Sequence, residues 1–230
     1  MKKKYSPTLS WENEFINRSL PYPDVFLTRI LKGKYPQLKF NFKRNSKIVD
    51  IGFGQGRHFP LFSSVGLKIY GTEISNKLVK ITLNNFKNSN IKIEEVKESF
   101  NHKINFEKNM FDILVSWNSS YYMYLTPNLN FKLHVEEFGR ILKKNGFIIM
   151  SLPKRSSYIF KNSKYFKNGY RIIKNDYFKL RNGEVMRVFK NKKDIIKEFS
   201  SQFKNFSFSD VHDDCFGLNY HWHIFTAQKK

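Results

Sequence analysis

The stretch Val49-Asp50-Ile51-Gly52-Phe53-Gly54-Gln55-Gly56-Arg57 runs from an apolar strand into a G-x-G-x-G loop, and a helical pattern follows it to Ser64. Glycines at that spacing let the backbone turn tightly and let a ligand approach it closely. A helix directly behind the loop would aim its free N–H groups at that ligand. Asp50 stands two residues before the first glycine, at the carboxyl end of the strand. A charge at the end of an apolar strand needs a partner, either a ligand or the loop it caps.

Working outward, strands and helices alternate. Asp24 caps a short helix over Val25–Lys32, and Lys47–Ile51 is the first strand. A second strand covers 67–72, and Ser75 caps a helix over Asn76–Phe86, where Leu78, Val79, Ile81, Leu83 and Phe86 recur at helical spacing. Strands at 91–96, 111–117 and 147–152 follow, with a helix at 131–142 closed by Lys143-Lys144-Asn145-Gly146. Most of these strands are apolar on both faces, which marks a parallel sheet covered by helices on both sides. After Pro153 the chain turns aromatic and basic. Asn182-Gly183 between 177–180 and 185–189 signals a hairpin, a last helix covers 192–203, and 206–211 with 221–227 are two final antiparallel edge strands.

Glu73, at the end of the second strand, can accept from both hydroxyls of a ribose. With it, Asp50-Ile-Gly-Phe-Gly-Gln-Gly-Arg57-His58 and Gly71-Thr-Glu73-Ile74-Ser75 make the sequence resemble a class I S-adenosylmethionine-dependent methyltransferase. Asn105-Phe106…Met110-Phe111-Asp112-Ile113 and Arg140-Ile-Leu-Lys-Lys-Asn-Gly146-Phe-Ile fit the same family. Arg57-His58 and Gly71…Ser75 look most like its bacterial tellurite-resistance and sugar-modifying branch. The resemblance implies a Rossmann-like α/β fold, with a mostly parallel seven-stranded sheet and an antiparallel last strand. The chain then reads as one methyltransferase domain over 1–230. It comprises an N-terminal helical extension (1–45), a cofactor-binding core (46–152), a substrate lid or hairpin insertion (153–190), and a last helix with edge strands (191–230).

The family's cofactor-binding positions fall on Asp50, Gly52, Phe53, Gly54, Gly56, Arg57, Glu73, Ile74, Ser99, Phe100, Ser116 and Trp117. Asp50 would orient the cofactor's amino end, Ile74 would pack on adenine, and Ser116, Trp117 and Asn118 would open the substrate site; Ile74 and Trp117 serve equally well as core. Two departures stand out. Phe53 follows the first glycine, where a small residue or Cys is usual, and Ser99, Phe100 or Asn101 occupies the place of a common acid after the third strand. A dinucleotide is disfavoured, because its fingerprint is G-x-G-x-x-G and position 57 is Arg.

Methyl transfer from a sulfonium is an in-line displacement governed by alignment. A base is needed only if the acceptor must lose a proton. His58, Tyr121, Tyr122, His221 and His223 are the candidates, with none assigned. His221 and His223 share a strand face like a metal pair, but structural histidines are expected there and no metal site. His134, in mid-helix, is expected on the surface.

The chain has 41 Lys+Arg against 19 Asp+Glu, a net charge of +22. Of the basic residues 32 are Lys and 9 are Arg, scattered without a block, and Asn, Phe and Ile are also abundant. That fits an AT-rich coding genome better than a phosphate-tracking surface, which favours Arg. One cysteine, Cys215, excludes an internal disulfide and a multi-cysteine metal site. The apolar runs are too short to span a bilayer, and no apolar segment follows Lys2-Lys3-Lys4, so a cytoplasmic enzyme is expected.

The acceptor is expected to be a small molecule, anionic or sugar-bearing. The segments before residue 46 and over 154–189 look suited to closing over a pocket, whereas a specific nucleic-acid interface needs about 1,000–2,500 Å². The alternatives are an RNA or DNA methyltransferase and a non-catalytic cofactor-binding protein. Ser116-Trp117-Asn118-Ser119 is unlike the Asn/Asp-Pro-Pro-Tyr type of motif used on exocyclic base amines, and intact glycines with Glu73 argue for catalysis.

Overall fold

The computed structural model describes residues 7–17, 21–99, 103–123 and 129–230. Along the chain come α1 (Pro7–Asn17), α2 (Val25–Lys32), β1 (Lys47–Ile51), α3 (Phe59–Ser64), β2 (Lys68–Glu73), α4 (Asn76–Phe86) and β3 (Ile93–Glu98). Then follow β4 (Phe111–Ser116), β5 (Tyr122–Met123), α5 (Lys132–Ile141), β6 (Leu142–Pro153), β7 (Lys164–Lys167), β8 (Tyr170–Ile172) and β9 (Val185–Arg187). The chain closes with α6 (Lys192–Phe199), β10 (Phe203–Cys215) and β11 (Leu218–Lys229).

Seven strands form one sheet in the order β10-β11-β6-β4-β1-β2-β3. β3, β2, β1, β4 and β6 are mutually parallel, while β11 runs antiparallel to both β6 and β10. The Rossmann-like class I methyltransferase fold is thus as expected. The central strands are apolar because both faces are covered. Ile113, Leu114 and Val115 of β4 and Ile148, Ile149 and Met150 of β6 are all buried. One core lies under α5 and α6, the other under α2, α3 and α4. The edge strand β3 instead carries Glu94, Glu95, Lys97 and Glu98, charges that discourage pairing with another chain.

Chain order reverses between β1 and β4. From β1 the chain steps outward to β2 and β3, then returns to β4 on the other side of β1. A crevice opens at the carboxyl ends of the strands at such a switch point. The glycine loop after β1 and the segment 117–120 after β4 face each other there.

Local caps are where the sequence puts them. The Asp24 carboxylate accepts from Phe26 N–H at 2.8 Å, and Ser75 Oγ accepts from Leu78 N–H at 3.2 Å. Several strand ends shift by a few residues, and four differences matter more. The helix behind the glycine loop starts only at Phe59, after a run of turns, so it does not point directly from Gly56. α5 ends at Ile141 without a glycine cap. Leu142 is drawn into the sheet opposite Phe111, and Asn145, not Gly146, takes the left-handed turn at φ 64°. Phe203, placed in the last helix by its apolar spacing, belongs to β10; α6 stops at Phe199. The strand paired with β9 is β8, not 177–180. Residues 174–182 form a loop pinned by Asp176, which accepts from Leu180 N–H and pairs with Arg181 at 3.2 Å.

β5, β9, β8 and β7 build a second, antiparallel sheet from the segment after β4 and from 164–187. No helix among the described residues is long and apolar enough to cross a membrane.

Candidate active site

The glycine loop is held from three sides. Gly52 and Gly54 both have left-handed backbones, at φ 71° and 61°. A Cβ on Gly52 would stand 2.6 Å from Ser119 Cβ, and one on Gly54 would stand 2.9 Å from the Phe15 ring. The loop therefore needs glycine for its turn and for the close approach of its neighbours. Ser119 Oγ donates to Ile51 O at 2.5 Å and meets Ser116 Oγ at 3.1 Å, which ties the end of β4 to the end of β1.

Glu73 is buried at the end of β2. Its Oε2 accepts from Gly54 N–H at 2.8 Å and its Oε1 from Ile74 N–H at 2.7 Å. Burial pushes this carboxyl up to about 7, with the Asp50 charge adding to the rise, against the pull of the backbone N–H groups. Asp50 is also buried, and His58 Nδ1 lies 3.2 Å from its Oδ2. The carboxylate can only accept, so Nδ1 is the donor. His58 Nε2 is buried without a partner among the described residues, near the rings of Phe62 and Trp117.

A cavity lies at the switch point. Of the positions expected to bind cofactor, Gly52, Glu73, Ile74 and Ser99 line it. Asp50, Gly54 and Gly56 stand behind that wall, and Arg57 is half-buried away from it. Phe53 turns into the core, 5.4 Å from the Phe59 ring, and occupies the space a Cβ on Gly71 would fill, at 2.5 Å. The unusual Phe after the first glycine is thus matched by Gly71 on the next strand. Ser116 hydrogen-bonds Ser120 at 2.6 Å beneath the wall, and Trp117 packs in the core with Val115, Val211 and Ile224. Phe100 lies outside the described residues.

Of the candidate bases, the cavity is lined only by Tyr122. Its phenol accepts from Arg181 Nε–H at 3.0 Å. Burial pushes that phenol up, so at neutral pH it is a donor. Tyr121 is buried against Tyr122 and Trp222, and His58 faces Asp50. His221 hydrogen-bonds Ser156 at 3.0 Å, and His223 pairs with Asp210 at 2.8 Å, both off the cavity wall. No group of three or more metal-ligating side chains occurs among the described residues.

Of four further residues on the wall, three have no local signature in the sequence, and the sequence places His134 on the surface. Trp11 and Phe15 come from α1, which is anchored here. Gln55 Nε2 donates to Phe15 O, and Ser75 Oγ donates to Glu12 Oε1, both at 2.5 Å. His134 lines the cavity as well, half-buried and stacked on Phe131 at 5.5 Å. It shares a helix face with Phe131 and Phe138, a spacing that could have placed it inward. Glu184, before β9, is the fourth.

Residues 49–150 match the family model described as a methyltransferase domain. No curated protein matches the sequence. Among solved structures, the chain is similar to a Methanosarcina mazei protein described as a S-adenosylmethionine-dependent methyltransferase. The identity is 17%, the TM-score 0.62, and the match covers 85% of this chain and 98% of that one. A Thermotoga maritima methyltransferase, described as a possible histamine N-methyltransferase, matches at 17% identity and TM-score 0.62 over 98% of this chain and 100% of that one. Phosphoethanolamine N-methyltransferase 2 of Haemonchus contortus, solved with S-adenosylmethionine, matches at 14% identity and TM-score 0.64 over 99% of this chain and 58% of that one. Residues 49–150 thus match a methyltransferase domain, and the sheet order and glycine loop around them have the class I methyltransferase fold shared with these structures.

Proposed function

We propose that the chain methylates a small molecule in the cavity at the β1–β4 switch point, with the cofactor held along the glycine loop. The observation that carries this is Glu73, a buried carboxylate on the cavity wall that already braces the loop through Gly54. A carboxylate has about four acceptor sites. Gly54 and Ile74 N–H use two and Ser75 N–H faces the same carboxylate, and the remaining lone pairs are the acceptors offered to a ribose hydroxyl. Gly52 supplies backbone free of a side chain, Ile74 and Ser99 supply the adenine side of the wall, and Asp50, backed by His58, sets the charge behind the loop. When bound, the sulfonium supplies an electrophilic methyl group. The chain's task is to align the acceptor with it and to keep water out. α1 and the second sheet close the cavity on the acceptor side, which makes 153–190 and the N-terminal extension covering elements.

A small acceptor suits a cavity walled by Trp11, Phe15, Met123 and Phe138 better than a polymer does. The narrower likeness to the sugar-modifying and tellurite-resistance branch rests on Arg57-His58 and Gly71…Ser75, and none of Arg57, His58 and Gly71 is on this wall. The test is calorimetry with S-adenosylmethionine, S-adenosylhomocysteine and NAD. Micromolar binding of the first two is expected; tight NAD binding without response to the sulfonium would overturn the assignment.

Glu73 also predicts a pH dependence. Its folded value, about 7, lies above the ordinary 4.5, so between those values the unliganded fold holds an extra proton and loses stability as pH rises. A ribose diol needs the carboxylate, so binding expels that proton. Cofactor affinity should rise by up to about tenfold per pH unit toward pH 7 and then level off. Calorimetry in buffers of different ionisation enthalpy should register the released proton near pH 6. A pH-independent affinity with no proton release would remove Glu73 from the binding step.

A further inference from the structure

The cavity lacks the residues this chain has most of. Lys and Arg number 41 in the sequence, against 19 Asp and Glu, yet none of the described lining residues is Lys or Arg, while Glu73 and Glu184 both reach the wall. Away from Glu73, the acceptor side presents Glu184, His134 and the rings of Trp11, Phe15 and Tyr122. Glu184 is 5% exposed and is held by interactions of its own. Trp11 meets Tyr122 edge to face at 5.4 Å. Arg181 touches this wall without lining the cavity. It donates to the Tyr122 hydroxyl, lies 5.5 Å from the Trp11 ring centroid, and is paired with Asp176 at 3.2 Å.

We propose that the methyl acceptor is a small amine, bound beside Glu184 and against Trp11, Phe15 and Tyr122. The proposal rests on the methyltransferase reading of the same cavity. Aromatic faces and a buried carboxylate both attract a cation, and both repel a phosphate or carboxylate that finds no cation on the wall. Nucleophile chemistry points the same way. A hydroxyl acceptor is far less acidic than an ammonium, and the bases on the described wall are the Glu184 carboxylate and the His134 imidazole, since Tyr122 is a protonated phenol. An amine held as its ammonium first gives one N–H proton to Glu184 or His134, which frees the lone pair that reacts. That pair forms the N–CH3 bond, and the C–S bond breaks with its electrons staying on sulfur, which becomes a neutral thioether. The positive charge passes from sulfur to nitrogen. A primary or secondary acceptor then loses its N–H proton to solvent. The charge that develops on nitrogen does so against a wall of anionic and π character, which is where stabilisation counts.

The same wall could serve the cofactor's own cationic end, so the experiment starts from the chain saturated with S-adenosylhomocysteine. Three probes of one shape are titrated by calorimetry: choline, its neutral isostere with a tert-butyl group in place of trimethylammonium, and the tert-butylacetate anion. Choline should bind at least about tenfold more tightly than the neutral isostere, with the anion weakest. Glu184→Gln should remove most of that preference, with its S-adenosylhomocysteine affinity as the check on folding. Should that variant fail to fold, the wild-type comparison of isosteres decides alone. Labelled methyl groups should enter a pool of small amines rather than pools of sugars or organic acids. Equal binding of cation and isostere, displacement of choline by the cofactor product, or label entering the sugar pool would each overturn the amine. Failure of the parent reading is distinct: S-adenosylhomocysteine would not bind and no pool would be labelled. The charge preference would then still be read on the unliganded chain.

Discussion

Glu73→Ala should weaken cofactor binding by about 1–3 kcal/mol, roughly five- to 150-fold in Kd. Two losses combine. The variant gives up the acceptor for the ribose, and it leaves the N–H groups of Gly54 and Ile74, now bonded at 2.8 and 2.7 Å, without their buried partner. The second loss loosens the loop itself, so affinity for every ligand of the loop falls, including ligands without a ribose. Glu73→Gln should fall between alanine and the wild type. Its amide oxygen keeps one acceptor, but its NH2 must face either Gly54 or Ile74 N–H. Gln also has no carboxyl to titrate, so the rise in affinity toward pH 7 should vanish with it. Calorimetry on the three proteins across pH separates these effects. Wild-type affinity in Glu73→Ala would mean that the carboxylate neither holds the ribose nor sets the loop for binding.

The fold was legible because its decisive features are local. β1, β4 and β6 are runs of Ile, Val, Leu and Met that only a doubly covered sheet accommodates, and Asp24 and Ser75 cap helices whose apolar spacing begins at once behind them. The glycine loop and Glu73 were legible for the same reason, since a turn and a strand end are properties of a few adjacent residues. The acceptor side of the cavity was not. Trp11, Phe15, His134 and Glu184 come from three segments far apart in sequence, and each alone reads as an ordinary helix or loop residue. Tertiary packing makes them neighbours, and only the spacing of His134 with Phe131 and Phe138 hinted at an inward face. Phe53 shows the converse. Its position in the loop suggested contact with a ligand, but Gly71, on the adjacent strand, leaves a space that the ring fills. Asn145 replaced Gly146 as the left-handed residue because Gly146 is wedged against the Asp112 and Lys143 carbonyls, each 3.0 Å from where its Cβ would be.

Phe199→Ala should be the most damaging single truncation considered for this chain, at about 3–5 kcal/mol. Phe199 is wholly buried on α6. Its ring meets Phe225 of β11 at 5.0 Å, Phe131 at 5.9 Å, Phe203 at 6.0 Å and Phe189 at 6.5 Å. These contacts join the helix before β10, the antiparallel edge of the main sheet and the segment that follows β9. Alanine leaves a cavity among rigid rings that cannot collapse to fill it, so the transfer loss and the cavity loss add. For a domain with a total stability of roughly 5–15 kcal/mol that is a large share. At about 2–4 °C per kcal/mol for this size, Tm should fall by roughly 6–20 °C. Urea denaturation should show the midpoint falling while the slope is kept. None of these rings is among the close neighbours of Gly52, Gly54 or Gly56, so S-adenosylmethionine affinity of the folded fraction should change little. Choline selectivity should suffer more, because Phe189 lies on the segment leading out of β9, and Glu184 stands at the entry to that strand. A loss under about 1 kcal/mol would show that the cluster repacks, and α6 would then be a cover on the sheet rather than the joint between its edge and the second sheet.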